Sequence, residues 1–204
     1  MAADKTDHAL ERLVFFSDAV FAIAITLLVI EIHVPEIPYR APNAAYWEAL
    51  AHLAPAFVSF AISFFVIGMF WMSHHRAFGL AGRYDGGVLG WNLLLLGLIA
   101  FMPFVTALVG RYYGAPVPTG LYWGWMVLIA AVNLKVVSIA TGPEMLKPGS
   151  APEEAADVRR RSWSVLLAAL TSFAVALAFP LAAPAGMAAM PLWMALLGRL
   201  GRRT

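Results

Sequence analysis

The sequence predicts an all-α membrane protein: six transmembrane helices in a single domain spanning residues 1–204, with both termini cytoplasmic. Three observations predict it. The 204 residues are 61% hydrophobic and only 13% charged, where soluble domains average roughly 45–50% apolar and ~25% charged. The mean hydropathy of +0.76 is too high for a water-soluble globule to hide in its core. The third observation is that Lys and Arg collect in alternate connections between apolar runs, as cytoplasmic loops do. A soluble enzyme with a large domain outside the bilayer is excluded. With no cysteine there are neither disulfides nor thiolate metal sites, and a formal net charge of +2 is too small to suggest nucleic acid.

An apolar run of ~20 residues crosses a bilayer as a helix. The first covers 13–32 and is too long for a cleavable signal, besides being interrupted early by Ser17 and Asp18. Pro35, Pro38 and Pro42 then stop the helix. The second run covers 50–72 and ends in Ser73, His74, His75 and Arg76. The third covers 88–109, with a kink expected at Pro103, and the fourth 120–140. A hydrophilic connector, 141–161, follows. The stretch 162–198 carries no charge and is too long for one crossing, so it divides into spans at 163–179 and 187–197, turning near the prolines at 180 and 184. Neither an internal repeat nor a low-complexity tail is evident.

Charge counting tests this number independently. With the N-terminus inside, the inner segments hold Lys5 and Arg12, then Arg76 and Arg83, then Lys147 with Arg159, Arg160 and Arg161, and finally Arg199, Arg202 and Arg203. The outer loops hold only Arg40 and Arg111, while Lys135 lies near the inner end of span four. Such a bias requires an even number of spans. Tyr46, Trp47, Tyr112, Tyr113, Tyr122 and Trp123 fall where interface anchors are expected.

The first span holds the chemistry. Asp18 lies about one and a half turns inside the run, and Glu31 lies near its outer end. An ionisable group in a membrane helix costs roughly 2.5–3.5 kcal/mol on insertion scales and faces protein or a water-filled path. Asp18 therefore either forms a structural pair near the inner interface, with Arg12 or a histidine of span two, or contacts a permeant ion. Phe16, Val20, Ile23, Leu27 and Ile30 form one helical stripe, with Thr26 about 60° to its side. An aliphatic stripe of this kind ordinarily faces lipid or another helix.

The pattern Arg12-x-x-x-Phe16-Ser17-Asp18, continued as Ala-Val-Phe-Ala-Ile-Ala-Ile-Thr-Leu-Leu-Val-Ile-Glu, resembles the signature of the transmembrane protein 175 family. Animal members are lysosomal potassium channels with two six-helix repeats; bacterial members have one six-helix unit and assemble as tetramers. The resemblance implies a homotetramer in a prokaryotic cell (inner) membrane, whose first helices line a central pore. It implies a main constriction at Ile23, further apolar rings at Leu27 and Ile30, and a hydroxyl layer linked to selectivity at Thr26. Arg12, Phe16, Ser17 and Asp18 would hold helices together rather than bind ions. No cofactor is implied beyond the permeant K⁺.

The physics is compatible with those implications. A ring of four isoleucines can close a pore by dewetting. Glu31 and Glu36 at an outer mouth would concentrate cations, although Glu36 fits an ordinary exposed loop equally well. No TVGYG-like segment exists, so discrimination between potassium and sodium is expected to be modest.

His74 and His75 point about 100° apart on a helix and cannot readily share one metal. The other histidines, His8, His33 and His52, are scattered. The pair is expected either to meet water at the interface or to partner Asp18 at the same depth. Asn92 and Asn133 are candidates for hydrogen bonds between helices, and the arginine run at 159–161 is most simply a topology determinant. A proton-coupled secondary transporter using Asp18 and a histidine is the alternative function. It would favour a broken helix near the midplane, and span one contains neither Gly nor Pro. An intramembrane enzyme would need paired acids, HExxH or GxSxG, and none is present.

Overall fold

A computed structural model describes residues 2–83 and 85–200. The side chain of Lys5, together with Arg202 and Arg203, all counted above as inner charges, lies outside the described residues. All regular elements among the described residues are helical. In order it forms α1 (Ala2–Ile30), α2 (Asn43–His52), α3 (Ala54–Leu80), α4 (Gly86–Ala100), α5 (Met102–Arg111), α6 (Pro116–Ala140) and α7 (Pro152–Ala178). A 3-10 segment (Pro180–Ala189) and α8 (Met190–Leu200) complete it. Six of these stretches are long and apolar enough to cross a membrane: within α1, α3, α4 with α5, α6, α7, and the 3-10 segment with α8.

Several boundaries move relative to the sequence expectation, each for a local reason. Pro103 does more than kink span three. It occupies the first turn of α5, where its missing N–H costs nothing, and the helix breaks at Phe101. The second span runs on to Leu80, so His74 and His75 are interior to a helix whose last turns bury Ala77 and Phe78. Ahead of it, α2 forms a separate short helix. Half of the expected connector at 141–161 is also helical. Pro152 starts α7, and Glu153 and Glu154 in its first turn complement the helix dipole. Asp157 then pairs with Arg160 and Arg161 three and four residues on.

Packing centres on α6, which buries Tyr122, Trp123, Met126 and Ile129 between α3, α4, α5 and α7. The α3–α4 and α6–α7 connections meet at one end of the bundle. There Gly82 N–H donates to Met145 O at 2.8 Å, Lys147 N–H donates to Leu80 O at 2.9 Å, and Lys147 Nζ reaches Gly79 O at 3.1 Å. Alternating spans require these two loops to share a side, and they do. At the other end the α5–α6 turn passes through Gly114 (φ +79°), where a side chain would strike Leu181 at 2.7 Å. The 3-10 segment folds back so tightly that a Cβ on Gly186 would lie 2.5 Å from the Cα of Ser172 on α7.

Candidate functional site on the first helix

Helix α1 has two unlike faces. Leu10, Leu13, Ser17, Phe21, Ala24 and Leu28, spaced three and four residues apart, are buried against α3, α4 and α5. That seam is narrow: 28% of the span's apolar window is buried, against 56% in each of the third and fourth spans. Away from it, Ile23 is 58% exposed and Ile30 67%, with Leu27 and Phe16 also exposed and Val20 partly so. The most apolar span of the chain thus leaves an aliphatic stripe uncovered in the single protomer. Thr26, beside the stripe, is exposed, and its hydroxyl donates to Ile23 O at 2.9 Å. The proton is satisfied within the helix while the oxygen lone pairs stay outward.

Three buried side chains fasten the other face. Asn92 of α4 donates through Nδ2 to Ser17 Oγ at 2.9 Å, and its Oδ1 accepts from His74 Nε2 of α3 at 2.9 Å. Ser17 in turn donates to Leu13 O at 2.8 Å. The geometry puts the His74 proton on Nε2 and leaves its buried Nδ1 without a partner among the described residues. The imidazole stacks on Phe78 with centroids 4.3 Å apart and leans on Phe21 at 5.6 Å. One asparagine, using donor and acceptor at once, therefore ties three helices together.

The expected pairing of Asp18 with Arg12 or a histidine is corrected. Its Oδ1 accepts from the indole N–H of Trp71 at 2.8 Å. His75 lies beside that indole, ring centroids 5.5 Å apart, and His74 faces Ser17 through Asn92 instead. Helix rotation decides this: Trp71 and His74, three residues apart on α3, point about 60° apart, so the first meets Asp18 and the second meets Ser17 through Asn92. The signal for Trp71 is the indole itself, a donor without acceptor capacity that requires an acceptor wherever it is buried in apolar surroundings. Arg12 and Phe16 are exposed and join none of these hydrogen bonds among the described residues.

Two further polar clusters hold the scaffold. Ser73 Oγ accepts from Asn133 Nδ2 and contacts Ser162 Oγ, both at 3.2 Å, linking α3, α6 and α7. Ser63 Oγ lies 2.9 Å from Tyr122 Oη and accepts from Thr106 Oγ1 at 2.8 Å. This last group, linking α3, α5 and α6, was not evident in sequence, where single hydroxyls in apolar helices give no periodic signal. It also shows Tyr122 as a buried helix tie, not the interface anchor expected. Arg159 donates to Thr141 O at 2.8 Å and so closes the end of α6, which adds a structural task to the arginine run. Glu31 is exposed and lines an open cleft of about 620 Å³ with His33, His52, Phe104 and Arg111. It directly follows the last residue of α1, next to Ile30.

Six helical spans, polar ties deep between them and an aliphatic first helix left uncovered define an integral membrane protein of the six-span channel class. Residues 12–103 match the sequence model of the endosomal/lysosomal potassium channel TMEM175 family. The crystal structure of a lysosomal potassium-selective channel TMEM175 homolog from Chamaesiphon minutus aligns with a TM-score of 0.78 at 31% identity, over 93% of this chain and 97% of that one. This chain belongs to the TMEM175 family, whose members are ion channels rather than enzymes. A potassium channel of Chamaesiphon minutus is 43% identical over 124 residues, 59% of this chain and 61% of that protein. One from Streptomyces collinus is 41% identical over 101 residues, 50% of this chain and 48% of that protein. The matched region thus spans about half to three-fifths of these two relatives.

Proposed function

We propose that four copies of this chain form a cation channel favouring potassium in a prokaryotic cell membrane. The first helix of each subunit surrounds the ion path, residues 1–204 act as one channel domain, and both termini are cytoplasmic. Ile23 forms the main constriction, with Leu27 and Ile30 as further rings. Thr26 supplies the only hydroxyl layer beside them, and no cofactor other than the permeant K⁺ is involved. The observation that carries this reading is the exposed aliphatic stripe of α1, on the most apolar span, opposite a face pinned by Ser17 and Asp18. Exposed stripe and pinned face are what a helix needs to present a rigid apolar wall to a symmetry axis.

Three apolar rings, each of four side chains, close such a path by dewetting, and a small outward movement rewets it. Aliphatic side chains cannot replace a hydration shell as carbonyls do, so preference for K⁺ over Na⁺ is modest. Transport by proton-coupled alternating access gains nothing from this geometry, because α1 is unbroken from Ala2 to Ile30 and Asp18 is occupied by Trp71.

The test is the reversal potential of purified protein in a bilayer with K⁺ on one side and Na⁺ on the other, recorded for wild type and Ile23→Asn. The expected result is a K⁺-favouring current that rises, or loses selectivity, in the variant. An identical current from both would remove Ile23 from the path, and a K⁺/Na⁺ permeability ratio in the hundreds would overturn the apolar-ring account of selectivity.

A further inference from the structure

Helix α8 lies on the opposite flank of the bundle from α1, packing on α7 and the 3-10 segment while α1 packs on α3, α4 and α5. Between the start of α7 and the end of α8 runs a groove of about 670 Å³. Its floor is apolar, formed by Met190, Met194 and Ala195, and its mouth holds the guanidinium groups of Arg160, Arg161 and Arg199. Among the described residues Asp157 is the single carboxylate bonded to this set, pairing with Arg160 and Arg161 and leaving an excess of two positive charges. The Nε of Arg160 is buried with no hydrogen-bond partner among the described residues. Gly198 contributes to the space: a Cβ there would meet only Arg160 Nη1, at 3.9 Å. Trp163, one turn along α7 from Arg160, is exposed, as an indole seated among headgroups would be.

We propose that this groove binds an anionic phospholipid, with the phosphate held by Arg160, Arg161 and Arg199 and an acyl chain lying on Met190, Met194 and Ala195. Charge complementarity selects the occupant. Basic residues crowding one end of an apolar groove between membrane helices match a molecule that is anionic at one end and aliphatic beyond it. An anionic peptide would leave the Met-lined floor unfilled. A zwitterionic lipid would bring its own cation against three guanidinium groups. Location agrees: Arg160 and Arg161 of α7 and Arg199 near the end of α8 line the same cavity as Met190, Met194 and Ala195, so one molecule can reach both the basic and the apolar parts.

The experiment is native mass spectrometry of the full chain, released from detergent with equimolar phosphatidylglycerol and phosphatidylcholine. The expected result is retention of one phosphatidylglycerol per chain in at least tenfold preference. Arg199→Gln, which disturbs no described pairing, should lower that retention about fivefold, in line with the contribution of one basic residue at a membrane surface. Ala195→Trp fills the floor without changing charge and should abolish it while the oligomer mass is unchanged. Equal retention of the two lipids, or full retention in both variants, would overturn the proposal. Displacement of the lipid by inorganic phosphate at comparable concentration would reassign the site to a free anion. A changed oligomer mass in Ala195→Trp, with lipid still bound, would mean that a second copy of the chain covers this face.

Discussion

The indole of Trp71 donates to Oδ1 of Asp18 at 2.8 Å, joining α3 to α1 one residue away from the fully buried link of Ser17 to Asn92. Adjacent residues of α1 thus grip different neighbours, because successive side chains on a helix diverge by about 100°. Two ties at one level fix both the position of α1 and its rotation about its own axis. Rotation matters most here, since it decides which side chains the uncovered face presents.

Removing the donor should cost more than neutralising the acceptor. Trp71→Phe leaves the half-buried Asp18 carboxylate without its partner, at an expected cost of about 1 kcal/mol. Asp18→Asn keeps an acceptor oxygen for the indole and should lose less than half as much. Thermal unfolding in detergent, followed by tryptophan-independent circular dichroism, compares the two. Equal losses would mean that Asp18 does not depend on Trp71.

Asn92 couples two bonds, so its loss should not add to the loss of Ser17. Asn92→Ala strands both Ser17 and His74, with an expected cost of about 2–4 kcal/mol. Ser17→Ala alone should cost about 1 kcal/mol, as measured pairs in membrane bundles do. The double variant should match Asn92→Ala to within about 0.5 kcal/mol. Strict additivity would show that the two residues act independently.

How much of this was legible beforehand depends on what hydropathy reports. Apolar runs mark where a helix meets lipid or core, so all six spans and the even count were readable. Helix ends that leave the apolar zone were not. Leu80 and Pro152 bound helices that run beyond the runs at 72 and 163, since capping and loop pairing set them, as the Ala81–Leu146 bridge does. The motif residues Ser17 and Asp18 stood out as polar groups in an apolar helix. Their partners did not, because whether Trp71 or His75 reaches Asp18 depends on helix rotation, which neighbouring spans determine together. The Ser63–Thr106–Tyr122 group was silent because isolated hydroxyls in apolar helices leave no periodic mark.

Close approach of the 3-10 segment to α7 gives a paired test. Gly186→Ala puts a methyl 2.5 Å from the Ser172 backbone, which cannot move as a flexible side chain would. The expected loss is at the upper end of the roughly 1–3 kcal/mol seen for overpacking. Gly97→Ala, with nothing within 4 Å of the new atom, should be neutral or slightly stabilising, since alanine favours helix by about 1 kcal/mol. Unfolding temperatures of the two variants check the contrast. Comparable behaviour would mean that the segment does not rest on α7 at Ser172.

Thr26 separates selectivity from stability. Its hydroxyl bonds only to Ile23 O within its own helix, and the side chain is exposed in the protomer. Thr26→Val keeps the shape, removes that one bond and leaves every tie between helices intact, so unfolding should shift by less than about 1 kcal/mol. If α1 surrounds the ion path, the same change removes the only hydroxyl oxygens beside the Ile23 and Leu27 rings, which are the groups able to offer lone pairs to a partly dehydrated cation. The K⁺/Na⁺ permeability ratio should then fall toward unity while current persists. A ratio unchanged in Thr26→Val, in a protein of normal stability that still conducts, would take the hydroxyl out of ion discrimination and leave selectivity to the width of the isoleucine ring alone.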